Sequence, residues 1–558
     1  MSGDALGRRV AWVLLTVAMV LSYLAVLDAP FVYDDKIEVV GNTTIRDLEQ
    51  WRAIARYNVS RPLLVATYAL DYHNHALHPR GYHLSNLLVA ALALGAALLL
   101  AESLLRLFRV EGALPRAVAV AGLWILHPMA TEGVTYITGR SESMCALFSF
   151  FSLHAWARAQ LARRAGEGEG GWRLLGLLSF LGAVGTKEVG AMVPAAALAM
   201  ELLAGEGSGL RRLQAVRWRW YLPYALLIGL AAWLRLQHAA SFLPREVERD
   251  LGVQLSTQAL SWLRYVQLWL LPWGQTVFHH QPELLPSSAA GLGAILGWLG
   301  LVALGLAWGR RVPLAGLALL CGALFLLPSS SVVPLKENLA EHRAFQTGFW
   351  ILLAIAASLP VRWSRPAAVL AGLLGLGLAG LTQLRHAAWA SEGALWEEAT
   401  RRRPEVADAW YGLGDARRFN GEMTLAQDAF QEAVRLDPGH LDAWNNLGIV
   451  RASLGDADGA REAWRAALRH SPSYCKAHSN LGVLAEQERD WDEAFGEFHT
   501  TLSYCPENAR AHYGLCQIHR GPRRDREKAI FHCQTFVDLA PTSDQAVTVR
   551  EWLLELTF

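Results

Sequence analysis

From the N-terminus to about residue 384 the chain is a near-continuous series of apolar stretches with short Arg-rich interruptions, and no other feature of the sequence limits its fold so severely. Lipid offers no water to backbone N–H and C=O groups, so stretches of this composition must satisfy them internally, as helices. The pattern predicts an all-α polytopic membrane bundle of about eleven crossings, near residues 10–27, 82–105, 116–131, 142–158, 173–186, 188–204, 219–238, 291–308, 312–330, 344–361 and 366–384. The first, AWVLLTVAMVLSYLAVLDAP, has the flank and core of a signal peptide, but it is long enough to span and no A-x-A-like cleavage site follows; it reads as a retained helix. With 51 basic against 50 acidic residues there is no global field that would favour nucleic acid.

Basic residues sort the loops. Arg8 and Arg9, Arg106, Arg109 and Arg116, Arg158, Arg163 and Arg164, Arg211, Arg212, Arg217 and Arg219, Arg310 and Arg311, Arg362 and Arg365 fall on one side if the amphipathic stretch 256–273 does not cross. That side is expected to be cytoplasmic. An odd number of crossings then puts the loops of Asp34, Glu132, Lys187 and Glu341, and the whole C-terminal region, on the outside. Only five lysines among the 51 basic residues points to a GC-rich genome and so to a bacterial inner membrane.

After residue 390 the texture changes to a fixed period, dividing the chain into a membrane domain, 1–390, and a repeat domain, 391–558. Pro404, Pro438, Pro472, Pro506 and Pro541 are spaced by 34, 34, 34 and 35 residues. Trp410, Trp444, His478 and His512 follow a proline by six, and Leu413-Gly414, Leu447-Gly448 and Leu481-Gly482 keep the phase. Ala426 with Phe430, Ala460 with Trp464 and Ala494 with Phe498 complete the signature of about four tetratricopeptide repeats (TPR), an α-solenoid in which small residues let paired helices approach and aromatic side chains fill the groove. Cys475 and Cys505 sit at helix ends that antiparallel packing brings together, and Cys516 and Cys533 occupy a small position and the one facing it. Two disulfides, suited to an oxidising compartment, are one reading and small buried thiols the other.

The chemistry concentrates on the predicted outer face. In FVYDDKIEVVGNTTI, Asp34 and Asp35 adjoin the first helix; two adjacent carboxylates repel, so one should hold its proton more tightly and suit a general base. A capping or interfacial pair is the alternative. Other helix ends on that side carry Arg61, then His127, Glu132, Arg140, Ser141 and Glu142, then Lys187 and Glu188, then Lys336, Glu337, Glu341, His342 and Arg343. Arg61, Arg140, Lys187 and Arg343 are of the type that holds phosphate, Arg through bidentate contacts and Lys as a point charge; snorkelling or structural ion pairs are the alternative for each. Glu341 and His342 are adjacent rather than one helical turn apart, so no metal is assigned and a divalent-ion requirement stays open. No phosphate-cradling Gly-rich loop and no Gly-x-Ser-x-Gly elbow occurs.

With FVYDD, RPLLVATYALDY, GYHLSNLLVA, LHPMATEGVTYITGRSES, TKEVGAMVPAAAL and the EHR segment followed by the repeats, the chain resembles the transmembrane and tetratricopeptide-repeat (TMTC) protein O-mannosyltransferase family, as a bacterial-type member, and more distantly other GT-C glycosyltransferases. The resemblance implies transfer of a sugar, mannose in that family, from a polyprenyl-phosphate donor to a protein hydroxyl at the non-cytoplasmic face. It implies Asp34 as general base and Asp35 as a supporting acid. The donor phosphate falls to Arg61 and Arg343, then Lys187 and Arg140, with Glu132, Glu188, Glu341 and His342 in supporting roles. The repeats would bind the acceptor polypeptide. An O-antigen ligase or polymerase, which would lean on outward arginines more than on the paired aspartates, and a non-catalytic TPR scaffold are the competing readings.

Overall fold

The computed structural model describes residues 3–205, 209–237, 249–279, 281–330, 335, 337–359 and 365–557; Lys336 and Arg362 lie outside them. Among the described residues the chain is helical, without a strand, and carries one isolated bridge between His279 and Leu339. It divides into two compact units, Met1–Leu395 and Trp396–Phe558.

In the first unit four helical stretches are long and apolar enough to cross a membrane: Ala5–Val26, Pro79–Leu107, Ala289–Arg311 and Pro366–Trp389. The pair Ala113–Ile125 and Pro128–Thr135, bent by 62°, would make a fifth; the break falls where Pro128 lacks an N–H to continue the helix. Among the described residues, helix length and apolarity alone thus pick out four or five of the eleven anticipated crossings. The other anticipated crossings are shorter helices, such as Gly170–Val184, Val193–Ala204 and Phe345–Ser358, or, like Arg140–Arg164, long but lined with the buried Ser149, Ser152 and His154. A helix wrapped by other helices needs neither lipid length nor lipid polarity.

The Arg-rich helix ends gather at one end of this bundle. Arg8 and Arg106 share Glu102, at 3.2 and 2.6 Å. Arg164 donates to the carbonyls of Leu107 and Ala204, both at 2.6 Å, and Arg116 to those of Ala356 and Leu359. Buried Arg173 binds Glu169 and Glu201 at 3.1 and 2.7 Å and lies 4.0 Å over the Trp156 ring. The amphipathic helix Leu251–Leu270 is tied at both ends to the opposite pole: Ser256 donates to the Leu284 carbonyl, and Tyr265 and Trp269 donate to the carbonyls of Ala340 and Ala344 at 3.1 and 3.0 Å.

In the second unit, four helix pairs follow one another: Ala407–Phe419 with Met423–Leu436, Leu441–Ser453 with Ala457–His470, Cys475–Gln487 with Trp491–Tyr504, and Ala509–Arg520 with Arg526–Leu539. A last helix, Asp544–Thr557, follows them. The repeated glycines face aromatic rings: a Cβ at Gly414, Gly448 or Gly482 would stand 2.7, 2.4 or 2.7 Å from Phe430, Trp464 or Phe498. In the fourth pair Cys516 takes the glycine position and Cys533 the ring position, and the two are disulfide-bonded with Cα atoms 4.9 Å apart. Two half-sized side chains joined together thus fill the space of nothing plus a ring. A second disulfide joins Cys475 to Cys505. The recurrent ring six residues after each proline also has a cause: Trp410, Trp444, His478 and His512 donate a ring N–H to the carbonyls of Pro404, Pro438, Pro472 and Pro506 at 2.8, 2.8, 3.0 and 2.9 Å. Those carbonyls stand beyond the end of a helix and would otherwise lack a partner.

Candidate active site

The paired aspartates occupy a tight turn after the first helix. Tyr33 adopts a left-handed backbone, φ 51°, and a short π-helical turn, Lys36–Val40, follows them. The turn separates the two carboxylates. Asp35 is 1% exposed, and its carboxylate accepts from the amides of Val32 at 3.2 Å and Thr138 at 2.9 Å, so it pins the loop to the 136–139 turn. Burial pushes its pKa up to about 7 against the pull of those two donors. Asp34 is exposed. Its backbone N–H donates to the Tyr136 hydroxyl at 2.8 Å. Partial burial and then the Glu337 carboxylate lift its pKa to about 6, opposed by the Tyr136 hydroxyl and Arg61. Asp34 is the exposed carboxyl of the two; Asp35 is a structural fastening whose oxygens are engaged.

The four anticipated phosphate ligands divide as well. Arg61 opens the helix Pro62–His75 and reaches Glu188 at 3.2 Å. Arg235, near the end of Leu222–Gln237, reaches the same carboxylate at 3.7 Å. Lys187 is ion-paired with Glu142, and Glu38 also acts on Arg61, so three cations and three carboxylates meet here. Arg343 donates to the Glu337 carbonyl at 2.8 Å and stands 4.0 Å from its carboxylate, while Tyr33 donates to Glu337 at 2.8 Å. This ties the 337–343 segment to the aspartate loop. Arg140 is placed otherwise. It is fully buried, donates to Asn86, Tyr82 O and Thr67 at 2.6, 3.0 and 3.2 Å, and pairs with Asp71 at 2.6 Å, so its donors are committed within the helix bundle.

Glu341 likewise has its oxygens occupied, by the Thr276 amide and His279 at 2.8 Å and Gln275 at 3.0 Å, with Arg385 at 3.8 Å. Glu132 accepts from the His342 amide at 2.9 Å and lies 3.1 Å from its Nδ1. Glu341, Glu132 and His342 fasten the 275–279 and 341–343 segments to the bundle. Among the described residues no group of three or more His, Cys, Asp or Glu is arranged to hold a metal. Sequence reasoning passed over Tyr136, Arg235 and Trp389. Tyr136 lies in a segment that already looked polar and Arg235 near the end of the anticipated crossing 219–238, but a tyrosine among apolar residues or one arginine near a helix end carries no signal until the chain folds.

Comparison with known proteins agrees with this organisation. A family model described as tetratricopeptide repeat matches residues 391–440, 415–474 and 445–501. Protein O-mannosyl-transferase TMTC4 of Homo sapiens is 31% identical over 183 residues, 28% of this chain and 24% of that protein. Protein O-mannosyl-transferase F38B6.6 of Caenorhabditis elegans is 24% identical over 460 residues, 76% of this chain and 62% of that protein. The matched region thus spans about a quarter of the human relative. Among solved structures, the crystal structure of MamA aligns with 19% identity and a TM-score of 0.25 over 27% of this chain and 86% of that chain. The chain is a relative of the proteins named TMTC protein O-mannosyl-transferases, and its C-terminal unit carries tetratricopeptide repeats.

Proposed function

We propose that this chain is a membrane glycosyltransferase that moves a sugar, mannose by its resemblance to its relatives, from a polyprenyl-phosphate donor to Ser or Thr hydroxyls of polypeptides on the non-cytoplasmic side. One observation carries the reading: of two adjacent carboxylates one is buried and tied down while the other, Asp34, is exposed and holds its proton up to about pH 6, on the side of the chain where Arg61 and Arg235 share Glu188. Asp34 takes the proton of the acceptor hydroxyl as its oxygen bonds to the anomeric carbon. The bond from that carbon to the phosphate oxygen breaks, its electron pair leaves with the polyprenyl phosphate, and Arg61 with Arg235 balances the charge. Arg343 is a second phosphate ligand in this reading, while Arg140 is fully buried and bound to Asn86, Tyr82, Thr67 and Asp71 within the bundle. The repeats present an extended surface for the acceptor polypeptide, and their two disulfides fit an oxidising, extracytoplasmic compartment such as a periplasm.

The test is transfer of labelled sugar from polyprenyl-phosphate donor to protein, wild type against Asp34→Asn at matched membrane levels. Label in wild type alone supports the enzyme and its base. Equal labelling by both removes Asp34 from the mechanism, and no labelling by wild type favours a scaffold or another donor.

A further inference from the structure

Between the last long helix and the repeats runs a short strap, and its side chains close onto the aspartate loop. The 3-10 turn Ala387–Trp389 ends that helix, and Ser391 caps the next one, Glu392–Arg402, by accepting from the Ala394 amide at 3.1 Å. Trp389 is 3% exposed, and its ring centroid lies 5.3 Å from that of Tyr136. Val32, Tyr136, Ala388, Trp389 and Leu395 form one buried cluster. Tyr136 is held from its other side by Asn86, whose amide donates to the Tyr136 carbonyl at 2.9 Å, and its hydroxyl accepts the Asp34 amide. One residue past Asp35, Lys36 forms an ion pair with Glu392. The loop is therefore gripped at Val32, at Asp34 and at Lys36, and two of the three grips come from the strap.

We infer that Tyr136, Trp389 and Glu392 are positioning residues for Asp34, so that the segment leading into the repeats is a working part of the catalytic loop. The inference rests on the glycosyltransferase reading above. Placing one positioning contact on a residue 356 positions from Lys36 makes the base dependent on the polypeptide that joins the two units. Glu392 is suited to the task twice over, since as the first residue of a helix it also meets the positive end of the helix dipole.

The experiment uses the full chain in lipid nanodiscs with Glu392→Gln, the exchange Lys36→Glu with Glu392→Lys, and Tyr136→Phe. Amide hydrogen exchange over residues 32–38 reads the grip without reference to activity. We expect Glu392→Gln to speed exchange there about tenfold and the charge exchange to restore it. Sugar transfer should show kcat reduced about fivefold in Glu392→Gln with the donor KM nearly unchanged, and recovery in the charge exchange. Tyr136→Phe removes a hydroxyl that lowers the proton affinity of Asp34, so the acidic limb of the rate profile should move to higher pH; a merely structural tyrosine leaves that limb in place. Unchanged exchange in Glu392→Gln, or a charge exchange no better than the single variant, overturns the inference. A wild type that transfers no sugar refutes the glycosyltransferase reading instead, and the exchange data still decide whether the strap grips the loop.

Discussion

The repeats and the helix bundle meet the same requirement, that a buried polar group must find a partner, over very different distances along the chain. In the repeats the ring N–H of Trp410 finds a carbonyl 6 residues back and that of Trp464 one 19 residues back. In the bundle Arg116 reaches residues 240 and 243 positions away, Tyr33 reaches one 304 away and Lys36 one 356 away. Local partners recur with the repeat and survive as a readable period. Distant partners are set once, by the whole fold, and leave no period behind. The same contrast predicts how damage spreads: a lesion in the repeats stays near its helix pair, while the loss of one partner in the bundle strands a charge that several helices share.

The largest expected effect separates chemistry from packing. Asp34→Asn should lower sugar transfer by about 10²- to 10⁴-fold, the usual contribution of a positioned base, with melting little changed, because the Asp34 amide keeps its bond to the Tyr136 hydroxyl. In the wild type the rate should climb with pH through about 6 and level off above, since only the deprotonated carboxylate accepts a proton. For stability the sign reverses. Raised carboxyl pKa values mean that the folded loop binds protons more tightly than the unfolded chain, so the contribution of Asp34 and Asp35 is full below the unfolded value near 4 and fades as pH rises through about 6 to 7. A profile that falls between pH 5 and 7 would remove Asp34 as the base.

Next in size is Arg140→Met, which leaves Asp71 buried without its cation and should cost about 3–5 kcal/mol of stability in the helix bundle. Thermal inactivation of the full chain should drop while the repeats keep their melting transition; a coincident loss of both would break the contrast drawn above. Replacing Cys516 and Cys533 by Ala should cost the repeats about 3 kcal/mol, since the bond closes a loop of 17 residues in the unfolded chain. Here the bundle should be untouched, as the melting of each unit will show.

The smallest effect sharpens the comparison within the repeats themselves. His478 donates to a proline carbonyl through Nε2, as the tryptophans of the first two repeats do, but its other nitrogen faces Glu497 at 2.6 Å, which raises its pKa. Its contribution is therefore complete below the unfolded imidazole value near 6.5 and is lost as pH rises through the higher folded value. His478→Trp should abolish that pH dependence in repeat melting while keeping the hydrogen bond.

The repeats and the facing positions of Cys516 and Cys533 were legible in the chain alone, because each depends on contacts within one helix pair and on a period of about 34 residues. The helical character of residues before 390 was legible too, since lipid forces helices. Which polar side chains a helix such as Arg140–Arg164 would bury was not, because Ser149, Ser152 and His154 are enclosed by neighbours that composition does not name. Nor were the roles within the polar clusters: Asp34 and Asp35 are identical in type and adjacent in sequence, and only the amides of Val32 and Thr138 make one a buried fastening and leave the other exposed. The same holds for Arg61 and Arg140, one sharing its carboxylate with Arg235 and the other enclosed by Asn86, Tyr82, Thr67 and Asp71. Residue type limits what a side chain can do; which of its bonds are already taken depends on partners that only the folded chain brings within reach.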